Sequence, residues 1–293
     1  MPFPLPKLGL GTNWLEGKVE LTEAKRIVAT ALDEGITFFD TAEIYNEGES
    51  ESLLGLALQG RRQSAIIATK FRGSSDPVRA CEASLKRLRT DYIDLYQMHD
   101  PGAPVTIERT LEILAGLVDA GKVRQIGNCN FAGWQIADAD WTSRLKGWPQ
   151  FVTAQNRYNL LERAAETDVV PACHHFGLAL IAYAPLAAGL LSGKYRRSEP
   201  PPVGTRLDIN KKHASRFLKD SMFDKVDALQ HFADSRDTSL LSVAISGLAA
   251  LPGIPTTLIA SASRAEQVLL NVKASAWAPS DTDIEEIRRL TDA

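Results

Sequence analysis

Eight short apolar runs, each followed by a helical pattern and spaced at a nearly constant interval, predict an α/β chain folded as a (β/α)8 (TIM) barrel. The runs are "KLGLGT", "ITFFD", "AIIATK", "YIDLYQMH", "VRQIGNCN", "FVTAQN", "LALIAYAP" and "TTLIAS". Polar residues closing six of them, Asp40, Lys70, His99, Asn128, Gln155 and Tyr183, stand 30, 29, 29, 27 and 28 residues apart. That is the length of one strand and one returning helix, as parallel strands joined by right-handed crossovers require. The alternative, an open doubly wound sheet, lacks its fingerprint, because no G-x-G-x-x-G follows the first run.

Taken in order, "ITFFD" opens after Gly35 with Ile36, Phe38 and Phe39 as a short buried strand, then surfaces on Asp40 and reaches Tyr45 before a polar loop. Between later runs lie "DPVRACEASLKRLRT" and "TIERTLEILAGLVDAGK", whose apolar residues recur at three and four spacing as helices do. "SRAEQVLLNVKA" follows the last run in the same way. One interval breaks the rhythm, the 76 residues from Tyr183 to Ile259. Its excess holds "GKYRRSEPPPVGTRLDINKKHASRFLKD", read as a long loop over the top of the barrel after strand 7, and then an extra helix from about Phe223 to Ser235. Residues 194–220 carry eight Lys or Arg against three Asp or Glu. A solvated surface loop and a basic flap over an anionic ligand both fit that balance.

At 293 residues with 44% hydrophobic side chains, the chain has material for a large core, and a single domain over residues 1–293 is expected. The net charge of −3 gives no push toward nucleic acid or an anionic membrane, which leaves a small molecule as the expected partner and the oligomeric state open. No apolar run approaches a membrane span, and "MPFPLPKLGLG" has neither a basic leader nor a signal-type apolar core, so a cytoplasmic protein is expected. Cys81, Cys129 and Cys173 are odd in number and far apart, which favours reduced thiols over a disulfide framework. Cys173, His174 and His175 invite a metal reading, but adjacent histidines on a helix diverge by about 100°, so the trio reads as helix surface and no metal site is expected.

In a barrel of this kind the C-terminal strand ends gather on one face, so Asp40, Tyr45, Lys70 and His99 converge although scattered in sequence. Each alone has a structural explanation as a turn residue, a solvated strand end or a hydrogen-bonded histidine. Together they are chemically coherent. A phenol is a poor acid at neutral pH, but an adjacent ammonium stabilises its phenolate and eases proton donation. Lys70 supplies the ammonium, Asp40 holds the lysine charged and in place, and His99 hydrogen-bonds the oxygen being protonated. Such a site calls for a carbonyl and a hydride source.

With these residues in place the chain resembles the aldo-keto reductases, from "LGLGT" through "FFDTAEIY", "ATK", "QMH", "IGNCN", "QNRYN" and "AYAPLAAGLLSGKY" to "SASRAEQVLLN". The resemblance implies NADPH-dependent reduction of an aldehyde or ketone to an alcohol by direct hydride transfer, with Tyr45 as proton donor and Asp40, Lys70 and His99 supporting it. It puts Cys129 and Asn130 beside the nicotinamide carboxamide with Gln155, Tyr183 stacked on the ring, and Gly11 and Thr12 near the same end. "PLAAGLLSGK" corresponds to the segment around the pyrophosphate, which nominates Pro185, Leu186, Ala187 and Lys194, with Arg206 from the basic flap. "SASRAEQVLLN" corresponds to the adenosine end, through Ser261, Ser263, Arg264, Gln267 and Asn271. The same stretch also reads as a helix start with Ser263 as N-cap, and both readings are compatible.

Two departures qualify the carry-over. Cys129 stands where relatives usually have serine, and a thiol is the weaker hydrogen-bond partner. Ser261 and Ala262 replace the more usual glycine or lysine pattern, leaving Arg264 as the cation for an adenosine 2′-phosphate; NADPH is therefore favoured, with NADH possible. Trp14, Phe71 and Trp134 follow the first, third and fifth runs and are nominated as walls of the substrate pocket, with core packing as the other reading. Two other functions fit parts of the pattern. A Schiff-base aldolase would use Lys70 as a neutral nucleophile, and a non-catalytic NADP-binding regulatory subunit would keep the cofactor site without turnover.

Overall fold

The computed structural model describes residues 5–13, 19–102, 106–253 and 257–292. Trp14 lies outside the described residues. Eight parallel strands close into a barrel in chain order: β1 (Leu8–Gly11), β2 (Phe38–Asp40), β3 (Ile66–Phe71), β4 (Ile93–Met98), β5 (Val123–Cys129), β6 (Thr153–Arg157), β7 (Ala179–Tyr183) and β8 (Thr257–Ser261). β8 closes on β1 with Leu10 beside Ala260 and Gly11 beside Ser261.

The pleat decides what each strand sends inward. Phe38, Ala68, Leu95, Ile181 and Ile259 pack together in the barrel interior. Two residues further along the same strands, on the same face, come Asp40, Lys70, Gln97, Tyr183 and Ser261. The upper inward layer is therefore polar, directly above an apolar plug. β1 contributes only glycine to this face. A Cβ on Gly9 would stand 2.6 Å from Phe38 Cδ1, and one on Gly11 would stand 2.7 Å from Ile259 Cγ2. Both contacts are too close, so β1 leaves that space to its neighbours.

The helices α1 (Leu21–Asp33), α2 (Glu49–Ala57), α3 (Pro77–Leu88), α4 (Ile107–Asp119), α5 (Gly133–Lys146) and α6 (Val169–Phe176) return the chain between strands. Their buried stripes follow the helical repeat: α1 turns Ala24, Ile27, Val28 and Ala31 onto the strands. The ends are written locally. Asp76 caps α3 by accepting from the Val78 and Arg79 N–H groups, with Pro77 in the first turn. Gly147, at φ 70°, ends α5.

After β7 the long insertion differs from a loop. It contains α7 (Arg206–Ile209) and α8 (Lys211–Phe217), anchored by fully buried Leu207 and Phe217, before α9 (Asp220–Ser235). The extra helix thus begins three residues earlier than its apolar pattern indicates. A further helical stretch follows as α10 (Leu240–Ser242), a π turn (Val243–Gly247) and α11 (Leu248–Ala250). Beyond β8 come α12 (Ala265–Ser275) and α13 (Asp281–Thr291). Among the described residues no helix is long and apolar enough to cross a membrane.

Candidate active site

Asp40 and Lys70, the inward residues near the ends of β2 and β3, meet above the plug. Lys70 is fully buried and uses all three ammonium N–H donors: to Asp40 Oδ2 at 2.6 Å, to the Thr41 carbonyl at 2.8 Å and to Tyr45 Oη at 3.4 Å. Tyr45 reaches this position because the chain leaves β2 through a tight 3-10 turn, Tyr45–Gly48. Asn46, Glu47 and Gly48 there take left-handed φ values of 49°, 54° and 89° and swing the backbone into α2. A side chain on Gly48 would meet Arg87 at 2.6 Å, which makes glycine the residue that closes the turn. His99 follows β4 with its ring 5.8 Å from the Tyr45 ring, edge-on at 82°. The four residues nominated from sequence are brought together.

Burial works against the Lys70 ammonium, but the facing Asp40 carboxylate, with Tyr45 and Cys129, more than reverses that and raises its pKa above the ordinary lysine range. A lysine held charged in this way is no amine nucleophile, which removes the chemical basis of the aldolase reading. Burial pushes the Tyr45 phenol up to about 12, against the pull of Lys70. Lys70 does pull the phenol down, as expected of an adjacent ammonium, but desolvation outweighs it, and the phenol carries its proton throughout the neutral range. His99 is pushed down to about 3 by burial and by the Lys70 and Arg72 cations, so its ring is neutral. Its Nδ1 is buried and has no protein partner. The site therefore presents a protonated phenol, an ammonium behind it, and a neutral imidazole with an unused nitrogen.

The next residues outward tie this group to the other strands. Gln155 donates its Nε2–H to Asp40 Oδ1 at 2.7 Å. Cys129 faces Gln155 Oε1 at 3.6 Å, and Asn130, at φ 60°, donates to Cys129 Sγ at 3.3 Å and to the His99 carbonyl at 2.9 Å. Tyr183 donates to Asn130 Oδ1 at 2.8 Å. Thr12, at the end of β1, donates to the Asp40 carbonyl at 3.1 Å and sits 3.0 Å from Ser50 Oγ. Thr41 and Ser50, themselves 3.1 Å apart, complete this buried hydroxyl group. Neither was nominated from sequence, and nothing in their local pattern distinguishes them from turn and cap residues.

Burial sets the Cys129 thiol at about 12, against the pull of Lys70, and sets Cys81 at about 11 and Cys173 at about 12. Cys173 is buried rather than on the helix surface, while its neighbours His174 and His175 are exposed. Phe71 is corrected from a pocket wall to a core residue. It is the outward residue next to Lys70, 1% exposed, with its ring centroid 4.9 Å from that of Tyr96 between strands and helices. Trp134, in the first turn of α5, is 70% exposed.

Beyond Tyr183, the backbone is left-handed at Ala184, Ala187, Ala188 and Gly189, with φ 57°, 48°, 57° and 91°. The Pro185 and Ala187 side chains are buried and Leu186 half-buried, so this segment offers mainly its backbone. Lys194 is lowered from the usual lysine range by burial and by Arg206 and Arg264. Lys194 thus feels two further cations, one from its own segment and one from the start of α12, an arrangement an anion would relieve. Arg264 itself occupies the N-cap position of α12, displacing Ser263 from that role. Gln267 Oε1 accepts from the Ser263 N–H at 2.7 Å and Oγ–H at 3.2 Å. Ser261 is exposed at the end of β8, and Asn271 is buried on α12.

The aldo/keto reductase family model matches residues 7–292. The uncharacterized oxidoreductase YrpG of Bacillus subtilis is 39% identical over 231 residues, 71% of each chain. A probable voltage-gated potassium channel subunit beta from Arabidopsis thaliana is 32% identical over 273 residues, 88% of this chain and 83% of that one. The crystal structure of an aldo/keto reductase from Klebsiella pneumoniae in complex with NADP and acetate superposes with a TM-score of 0.77 at 28% identity, covering 98% of this chain and 92% of that one. With a closed (β/α)8 barrel and a family match over nearly its whole length, the chain belongs to the aldo/keto reductase family.

Proposed function

We propose that this chain reduces a small aldehyde or ketone to the alcohol, with NADPH as cofactor and Tyr45 as the proton donor. The observation that carries the reading is the protonated Tyr45 phenol backed by Lys70 and faced by a neutral His99 with an unpaired ring nitrogen. NADPH bound there would supply the hydride for the carbonyl carbon. Tyr45 gives its proton to the carbonyl oxygen, and Lys70 stabilises the phenolate left behind, with Asp40 balancing the lysine charge. His99, its ring neutral and edge-on to Tyr45, would hold the same oxygen through its other ring nitrogen.

The fit to the cofactor rests on the cation cluster: Lys194, Arg206 and Arg264 would take the phosphates, and Arg264, exposed at the start of α12, the 2′-phosphate. Asn130 and Tyr183 would face the nicotinamide. The solved Klebsiella relative holds NADP, in agreement with this. The test is NADPH oxidation against a panel of sugar aldehydes, aromatic aldehydes, dicarbonyls and ketones, with Tyr45→Phe as control. A relative named as a probable channel subunit leaves a second reading, regulatory cofactor binding without turnover, to be tested beside the first. Tight NADPH binding without turnover on any carbonyl would select it.

A further inference from the structure

Resting on that function, we propose that Gln155 and Cys129 act together as positioning residues: the Cys129 thiol locks the Gln155 amide so that its N–H holds Asp40, and through Asp40 the Lys70–Tyr45 contact. The Asp40 carboxylate has a different partner on each oxygen. Asp40 Oδ2 takes the Lys70 ammonium, and Oδ1 takes Gln155 Nε2 at 2.7 Å. A carboxylate only accepts, so the amide nitrogen must face it and the amide oxygen must face away. On that far side stands Cys129 Sγ, 3.6 Å from Oε1, with both residues at most 2% exposed.

The thiol's own direction is determined by its other neighbour. Asn130 Nδ2 donates to Sγ at 3.3 Å, so the sulfur is already an acceptor there and its S–H points to Gln155. With that donor removed, Oε1 is buried without a partner, and the amide loses the contact that keeps its nitrogen on Asp40. With the Gln155 N–H removed, Oδ1 is left with no donor and the carboxylate draws harder on Lys70. The longest of the three lysine contacts, 3.4 Å to Tyr45 Oη, is the first that such a shift would break. Gln155 thus acts on the proton donor through Asp40 and Lys70, beside any contact it makes with the cofactor.

The test uses the full chain with Gln155→Met, Cys129→Ala and Cys129→Ser. The S–H stretching band lost in Cys129→Ser is that of Cys129. In Gln155→Met it should move to higher frequency, as a thiol without an acceptor does. Turnover of Gln155→Met at saturating NADPH should fall about tenfold or more, since a charge-assisted hydrogen bond to Asp40 is lost. Cys129→Ala should lose roughly three- to tenfold in kcat and Cys129→Ser should regain most of it. An S–H band that stays in place in Gln155→Met overturns the proposal. So does a weakened NADPH Kd with kcat retained, which would put the amide on the cofactor alone. If the wild-type protein shows no turnover, the reductase reading fails instead, and the S–H band decides the positioning role by itself.

Discussion

Asp40 and Asp94 are both nearly fully buried carboxylates in this barrel, each held by cations, and they sit at opposite ends of it. Asp94, at the start of β4, accepts from Arg62 Nη2 at 2.7 Å, Arg124 Nη1 at 2.9 Å and the Ile67 N–H at 3.0 Å. The two guanidinium groups lie 4.1 and 3.8 Å from the Tyr92 ring centroid. Around Asp94 the carboxylate is saturated, and its cations are stacked on an aromatic ring. Around Asp40 the carboxylate is satisfied too, but its lysine leads on to a phenol, and the phenol to an imidazole with an unused nitrogen. The same ion-pair chemistry closes a network on two guanidinium groups at one end and carries it on to a phenol and an imidazole at the other. A closed network contributes to stability; an open one can move a proton.

The largest test of this contrast is Tyr45→Phe. Deleting the phenolic hydroxyl should lower turnover by about 10²–10⁴-fold while leaving NADPH binding and unfolding free energy nearly unchanged. Near-normal kcat would remove Tyr45 as the acid. Asp94→Ala should do the reverse. Breaking the base network leaves Arg62 and the Ile67 N–H without their acceptor and should cost about 2–4 kcal/mol in urea unfolding, with kcat kept. A variant equally stable but catalytically impaired would erase the distinction between the two ends.

Next in size is the third cationic region. Arg264→Ala should weaken NADPH by roughly tenfold and NADH hardly at all, the lower end for a charge-assisted contact at an exposed position. Equal weakening of both would place the arginine away from the 2′-phosphate. The last test is in pH. With His99 held neutral to about 3 when folded, the unfolded chain binds a proton below about 6.5 that the folded chain refuses. Stability due to this group is therefore full above that pH and falls as pH drops, by ~1.4 kcal/mol per unit. His99→Asn should show a flatter acid limb than wild type, and identical limbs would mean that the ring is not desolvated.

A thiol beside the nicotinamide would be shielded from alkylation by bound NADPH, but burial leaves such shielding little to act on at Cys129. All three thiols are buried and all three are raised by burial, so slow labelling with and without cofactor is the expected outcome. The sequence places Cys129 at a strand end, but whether a lysine nearby or the loss of water governs a thiol depends on every group around it.

What the sequence by itself determined is the periodic part. The 27–30-residue repeat specified parallel strands with returning helices, and the last polar residue of each run marked the open end of the barrel. Asp40, Tyr45, Lys70 and His99 were legible because they follow strands, and strand ends in a closed parallel barrel have no other place to be. The tertiary structure decided what depends on direction and enclosure. Phe71 and Lys70 are adjacent, and only the pleat set by strand pairing sends one to the helices and the other to the site. The short helices in the basic insertion owe their place to Leu207 and Phe217 finding buried seats that no local period announces. The balance at Tyr45 between Lys70 and desolvation, and the bond from Gln155 to Asp40, 115 residues apart, arise only when the barrel closes. Local propensity reads neighbours along the chain, whereas solvation and hydrogen-bond partners are settled by neighbours in space.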